Sequence, residues 1–347
     1  KGWFITSVAV FKFHSNDCEK VVIFVRYNLF TNRMSLIPNL DLSNWMSGST
    51  ADKKAFAADL GKAYTDIGFV TIKNHGFSDA MQDQLYEEVA AFFALDTETK
   101  KKYELEKLAG QRGYTSFGRE HAKGIAAADL KEFWQVGQPA PAYNGPEYHD
   151  NISVSERPEL APTFVNAYQQ LERIGMELLS AIASYLELDT DYFEPWVKGG
   201  NSIIRAIHYP PITTDPGDSV RAGQHEDINL ITLLMGASAE GLEVLNKQGE
   251  WVGITAIPGS LVVNVGDMLQ RLTNGYLKST THRVVNPPQE KWAQPRYSIP
   301  FFLHPVGKMP LNALAQCINE ARPKAFTDIT AGDYLDERLV EIGLKKK

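Results

Sequence analysis

The stretch Gly223-Gln-His-Glu-Asp-Ile-Asn-Leu230 holds an imidazole and a carboxylate two residues apart, His225 and Asp227. On an extended strand alternate side chains share a face, so this spacing presents His225 and Asp227 together and turns Glu226 away. A third donor, His282, lies on the β-like segment Thr280-Thr-His-Arg-Val-Val285, which closure of a barrel would bring opposite. Two imidazoles and a carboxylate on one face of an octahedron leave three positions open. Non-haem iron(II) enzymes use that arrangement to bind substrate and dioxygen together. Catalytic zinc fits less well, because such sites more often use three His, or two His and a Glu at helical spacing. Alone, the pattern is weak: His225 could simply bond a neighbouring backbone group, and Asp227 could end a strand.

Its company is what gives it weight. In Arg296-Tyr-Ser298 the guanidinium and the hydroxyl are again two apart and share a face. A guanidinium fork matches a carboxylate, and a hydroxyl adds a further donor, so the pair suits the far carboxylate of a dicarboxylic co-substrate. Tyr209, closing Ile203-Ile-Arg-Ala-Ile-His-Tyr209, is placed to add a second hydroxyl. Strand parity sets Arg205 and Ile207 on the Tyr209 side and Phe302 on the side of Arg296 and Ser298, so these three are the expected substrate-facing residues. Each also has an ordinary role open to it: an ion pair with a nearby acid for Arg205, barrel core for Ile207 and Phe302. His75, His208 and His304 have no second donor at ligand spacing and read as structural. Gly110-Gln-Arg-Gly113 lacks the strand-to-helix setting of a phosphate-cradling loop.

These residues need a frame. Ala51–Asp66 repeats apolar residues every three or four positions, Gly68 stops it, and Phe69-Val-Thr-Ile72 follows as a short strand. Ser78 caps a second amphipathic helix through Phe93, and a longer one runs from about Leu160 to Leu186. Gly110–Gly137, rich in Gly, charge and aromatics, reads as irregular structure able to cover a pocket. Beyond Asn201 the period becomes two, over Ile203–Tyr209, Val220–Leu234, Leu242–Leu245, Leu261–Val265, Thr280–Val285 and Tyr297–Leu303, which predicts a sandwich or barrel. Thr330 to Gly343 returns to a helical pattern. The fold class is therefore α+β.

The chain has 347 residues, 44% apolar and 22% charged, enough for a sizeable core. A net charge of −7 lacks the basic excess that phosphate backbones require, so nucleic acid is not expected as a partner. Two cysteines far apart, Cys18 and Cys317, argue against a disulfide framework and fit a reducing cytoplasm. Charged residues interrupt every apolar run before bilayer length, so a soluble protein is expected. Residues 1–33 are a poor secretory signal, and Met34-Ser-Leu-Ile-Pro reads as a natural start, which makes 1–33 either upstream, non-native sequence or an extension adding a surface hairpin.

The succession Arg-x-x-His-Tyr-Pro-Pro, His-x-Asp, Gly-Leu-Glu-Val, Val-Asn-Val-Gly-Asp-Met-Leu, Thr-Asn-Gly, His-Arg-Val and Arg-Tyr-Ser resembles the iron(II)/2-oxoglutarate dioxygenase superfamily, in its isopenicillin N synthase-like branch. Ile37-Pro-Asn-Leu-Asp-Leu42 and Gly68-Phe-Val-Thr-Ile-Lys-Asn-His-Gly76 resemble that branch's opening, so the likeness runs from about Ile37 to Pro305. It implies a double-stranded β-helix, or jelly roll, over residues 199–308, with a helical region at 34–198 and a C-terminal helical segment at 309–347. It implies iron(II) on His225, Asp227 and His282, and 2-oxoglutarate on Arg296 and Ser298 with Tyr209 assisting. Dioxygen would then oxidise a C–H bond of a small organic substrate as 2-oxoglutarate becomes succinate and carbon dioxide. The Asn that plant relatives often place two before the tyrosine is Ile207 here, which removes one polar contact to the co-substrate. Isopenicillin N synthase and aminocyclopropanecarboxylate oxidase share the Arg-x-Ser pair without using 2-oxoglutarate, so a co-substrate-independent oxidase is an alternative, and a barrel that only binds ligand is another.

Overall fold

Ser49 decides where the first long helix starts: its hydroxyl accepts the Asp52 amide at 3.3 Å, and the Asp52 carboxylate accepts the Ser49 amide at 2.9 Å. This helix, α1 (Thr50–Asp66), buries Phe56, Leu60, Ala63 and Tyr64. It stops at Gly68, whose φ of +74° only glycine adopts without strain. Ser78 caps α2 (Asp79–Phe93) through the Met81 amide at 3.2 Å. The longest helix, α3 (Leu160–Tyr185), is buried along Phe164, Leu171, Ile174, Leu178 and Ile182, the stripe the sequence spacing predicts. The short α4 (Asp267–Leu272) and α5 (Ala331–Glu341), the latter capped by Thr330, complete the main helices.

The computed structural model describes residues 4–15, 18–28, 37–108, 110–120, 129–139, 148–235, 240–254, 257–342 and 344–345. The chain divides at Leu36 and Ile37 into two units. In the first, Phe4–Ser15 and Cys18–Asn28 pair as an antiparallel hairpin. The second unit, Ile37–Lys347, carries the remaining elements.

Its strands are β1 (Asn39–Asp41), β2 (Phe69–Lys73), β3 (Gly113–Thr115), β4 (Glu132–Gly137), β5 (Ile203–Tyr209), β6 (Ala222–His225), β7 (Ile231–Leu234), β8 (Leu242–Leu245), β9 (Trp251–Gly253), β10 (Ser260–Val265), β11 (His282–Val284), β12 (Arg296–Ser298) and β13 (Pro300–Leu303). A large sheet runs β1-β2-β10-β7-β13-β5-β4-β3, with β12 also on β5, and a four-stranded sheet runs β9-β8-β11-β6. This is a jelly-roll core: the two-sheet arrangement that strands of period two predict, with the topology that the family resemblance implies.

Alternation along the large sheet separates two environments. Ile204, Ala206, Leu233, Val263, Phe301 and Leu303 point outward and join the helices in the main core. The intervening residues face the small sheet and meet its inward side chains: Phe133, Ile207 and Tyr209 cluster with Ala222 and Val284, and Phe69 and Val262 with Val244. A fully buried aliphatic such as Leu178 contributes about 2–5 kcal/mol by the cost of its truncation to Ala. The helices therefore hold the large sheet rigid behind the barrel interior.

Three expectations change. Gly110–Gly137 contains β3 and β4, and all six residues of β4 are buried. Its polar members disguise it: Glu132 and Gln135 are satisfied by partners distant in sequence, so the segment lacks an apolar signature. Residues 121–128 of that stretch lie outside the described residues. Val220–Leu234 is two strands in different sheets, with Glu226–Leu230 crossing between them. The crossing is pinned where the Asp267 amide donates to the Asp227 carbonyl at 2.8 Å and the Gly266 amide to that of Leu230 at 2.9 Å. Likewise, Tyr297–Leu303 is divided between β12 and β13 around Ile299.

Candidate active site

His225 and His282 are direct cross-strand neighbours on β6 and β11. Their rings lie 4.4 Å apart between centroids. Each turns Nδ1 back to a carbonyl two residues earlier, Gly223 at 2.7 Å and Thr280 at 3.1 Å. With Nδ1–H donating there, both Nε2 lone pairs face inward, the tautomer a metal ligand needs. Asp227, just past the end of β6, sets Oδ1 at 3.8 Å from His225 Nε2 and 3.6 Å from His282 Nε2. All three donor atoms fall within 4.8 Å of one another.

Asp227 is held from the opposite sheet. Its Oδ2 accepts the Thr232 hydroxyl at 2.6 Å and the Asn264 amide at 2.8 Å, which leaves Oδ1 for the centre. Burial pushes its carboxyl up, but the two imidazoles and the two hydrogen bonds outweigh burial and hold it below the usual range. The surrounding barrel wall and, next, the His282 imidazole press His225 down to about 4, although 38% of its side chain remains exposed. His225 is therefore neutral and Asp227 ionised near pH 7, as coordination requires.

Arg296 and Ser298, 1% and 4% exposed, project from β12 into the same interior. They stand opposite Tyr209 and Ile207 on β5. The Arg296 guanidinium lies 5.0 Å from the Tyr209 ring centre. A second guanidinium, Arg221, lies 5.9 Å from the same ring and was not among the residues singled out from sequence. A lone Arg beside an apolar residue carries no sequence mark of burial.

Arg205 packs over Phe133 at 4.1 Å and Phe302 at 5.4 Å, so Arg205 and Phe302 share one wall, as strand parity expects. It is also the ion pair named as its alternative: Nη1 meets Glu120 at 3.1 Å and Nε meets Gln135 at 2.5 Å. Glu120 in turn holds Lys131 at 2.9 Å, and Lys131 holds Asp129 at 2.8 Å. Two acids and two bases thus form a neutral buried chain. Ile207 faces the interior among Phe133, Tyr209, Ala222 and Val284. His304 borders this region, where burial, then Arg205, presses it down to about 3.

His208 and His75 have structural partners, as the sequence reading expects. His208 bonds Glu132 at 2.8 Å and packs against both Phe93 and Tyr297, which also touch each other. His75 accepts the Phe77 amide at 3.1 Å and bonds the Gly259 carbonyl at 3.2 Å. Among the described residues no helix is long and apolar enough to cross a membrane.

Comparison with known proteins agrees with this geometry. The model of the N-terminal region of non-haem dioxygenases in morphine synthesis matches residues 37–160, and that of the 2OG-Fe(II) oxygenase superfamily matches residues 200–305. A 2OG-Fe(II) oxygenase family protein of Caulobacter crescentus is 43% identical, with a TM-score of 0.80 over 89% of this chain and 99% of its own. A full-length Neurospora crassa protein, solved in complex with alpha-KG and thymine, is 32% identical, with a TM-score of 0.79 over 89% and 98%. The 2-oxoglutarate-Fe(II) type oxidoreductase ppzC of Metarhizium majus is 30% identical over 330 residues, 88% of this chain and 87% of its own length.

Proposed function

Because this chain belongs to the 2OG-Fe(II) oxygenase superfamily, we propose that His225, Asp227 and His282 hold its iron(II), that Arg296, Ser298 and Tyr209 grip 2-oxoglutarate, and that Arg205, Ile207 and Phe302 receive the substrate. The enzyme is an oxidoreductase that couples oxidation of a small organic substrate to oxidative decarboxylation of 2-oxoglutarate, with iron(II) and dioxygen. The single observation that carries the ligand assignment is the convergence of two inward Nε2 atoms and one Oδ1 within 4.8 Å. Two neutral nitrogens and one carboxylate oxygen suit iron(II).

Iron(II) bound there supplies the oxidising chemistry with dioxygen. The chain supplies position. Gly223 and Thr280 fix the two rings, Thr232 and Asn264 fix the carboxylate, and the buried Arg296 gives a dicarboxylate's far end a charge-assisted anchor. The cluster of Phe133, Ile207, Tyr209, Ala222 and Val284 keeps water from that end. Since Glu120 already neutralises Arg205, the substrate wall offers hydrogen-bonding groups and an aromatic face with no uncompensated charge. Such a wall suits a small neutral polar ring, the class to which the thymine bound by the Neurospora relative belongs.

Anaerobic addition of iron(II) and 2-oxoglutarate tests the assignment, read as the visible charge-transfer band of the metal chelate. The band is expected in the unaltered protein and lost in His282→Ala. Full band intensity in His282→Ala overturns the ligand set. For the substrate, thymine is expected to raise succinate release above that seen with carboxylic acids of similar size, and the reverse order refutes a neutral ring.

A further inference from the structure

Arg221 is 2% exposed, and its sole hydrogen-bond acceptor among the described residues is the Gln294 carbonyl, 3.1 Å from Nη2. Its Nε is buried without a hydrogen-bond partner. A guanidinium shut away from water without a carboxylate is costly to fold around. This one also sits near a like charge: Arg221 and Arg296 both lie against the Tyr209 ring, at 5.9 and 5.0 Å. Burial first, and Arg296 next, pull Arg221 down to about 10, which still leaves it charged at neutral pH. A buried cation with spare donors, close to a second cation, is the setting of an anion.

We infer that Arg221 is a second cationic contact for the distal carboxylate of 2-oxoglutarate, acting beside Arg296 at Tyr209. The inference rests on the proposed co-substrate site. It adds to that site a consequence for specificity: two guanidiniums discriminate between a 2-oxo acid that carries a far carboxylate and one that does not more strongly than one does. It also ties the two ends of the co-substrate together. Arg221 lies four residues before His225, so one short segment would reach both the anion and the metal. The competing role is purely structural, with Arg221 propping the Tyr209 ring and tethering Gln294.

The test is anaerobic calorimetry on the iron(II)-loaded protein with 2-oxoglutarate and with 2-oxobutyrate, which lacks the distal carboxylate. The readout is the ratio of the two affinities. Arg221→Gln is expected to weaken 2-oxoglutarate by about tenfold or more, the loss of one hydrogen bond to a charged group, with 2-oxobutyrate and iron stoichiometry unchanged. Arg221→Lys, which keeps the charge but not the fork, should lower the ratio by about threefold. It serves alone should the Gln variant fail to fold. An unchanged ratio in the variants that fold overturns the inference. In that event Arg296→Gln separates the two readings: a collapsed ratio there leaves the anion grip standing and makes Arg221 a prop, whereas an unchanged ratio removes the grip itself.

Discussion

Thr232→Val removes a hydroxyl from the metal site while leaving its volume nearly intact. That hydroxyl donates to Asp227 Oδ2 at 2.6 Å and accepts the Asn229 amide at 2.8 Å. Without it, Oδ2 retains the Asn264 amide alone, and the carboxylate gains freedom to rotate Oδ1 away from the two imidazoles. Two effects then compete. Loss of a donor makes a carboxylate more basic and so a stronger ligand, but Asp227 is already held below the usual carboxylate range and is ionised at pH 7 either way. The gain in basicity is therefore small, and orientation decides. A hydrogen bond to a charged group contributes about 1.5–3 kcal/mol, and each 1.4 kcal/mol is about tenfold in affinity. Iron(II) should bind roughly 10–100-fold more weakly, the usual consequence of losing an outer-shell partner. Anaerobic calorimetry at pH 7 measures this, and urea unfolding of the metal-free protein separates it from lost stability. Asn264→Leu should act in the same direction, and the double variant should depart from additivity because both donors share one oxygen. Equal or tighter iron binding in Thr232→Val would show that the hydrogen bond does not position the ligand.

Gly266→Ala should cost about 1–3 kcal/mol and weaken iron binding, since its Cβ would lie 2.2 Å from the Asn229 carbonyl oxygen and the loop bearing Asp227 must shift; wild-type urea midpoint and iron affinity would refute this. Burial pushes Glu120 up, but Lys131 and Arg205 prevail and hold it at about 2 against an ordinary 4.5. Its contribution to stability is therefore complete above pH 4.5 and lost as pH falls from there toward 2. Glu120→Gln should be less stable at pH 7 and flatter through that window, and parallel pH–stability curves would contradict the assignment. Glu132→Gln should lose about 3–5 kcal/mol, because Lys100 at 2.9 Å and His208 at 2.8 Å then face no buried carboxylate; an unchanged thermal midpoint would contradict that network's importance.

Strand parity reads correctly along straight segments. Ile203–Tyr209 is continuous, so its alternation gave the facing of Arg205, Ile207 and Tyr209, and the Arg296–Ser298 register repeats it across the pair. The same reasoning presents His225 and Asp227 together for a partly mistaken reason. His225 ends its strand, and Asp227 reaches the centre from a segment leaving one sheet for the other. Register between strands distant in sequence is not legible either: nothing local states that His282 pairs with His225. Glu132, Gln135 and Arg221 were missed because charged and polar side chains usually mark a surface, and their partners, Lys100, Arg205 and the Tyr209 ring, are only assembled by the fold.

This division of the ligands has a thermodynamic consequence. The small sheet carries both imidazoles, whereas the large sheet steers the carboxylate through Thr232 and Asn264. The three donors can meet only when the two sheets are packed face to face. An ion that binds the closed arrangement and not its separated halves must stabilise the packing by the logarithm of its concentration over its dissociation constant. Iron affinity and barrel closure are thus two readings of one equilibrium, and a substitution that loosens either sheet weakens the site without touching a ligand.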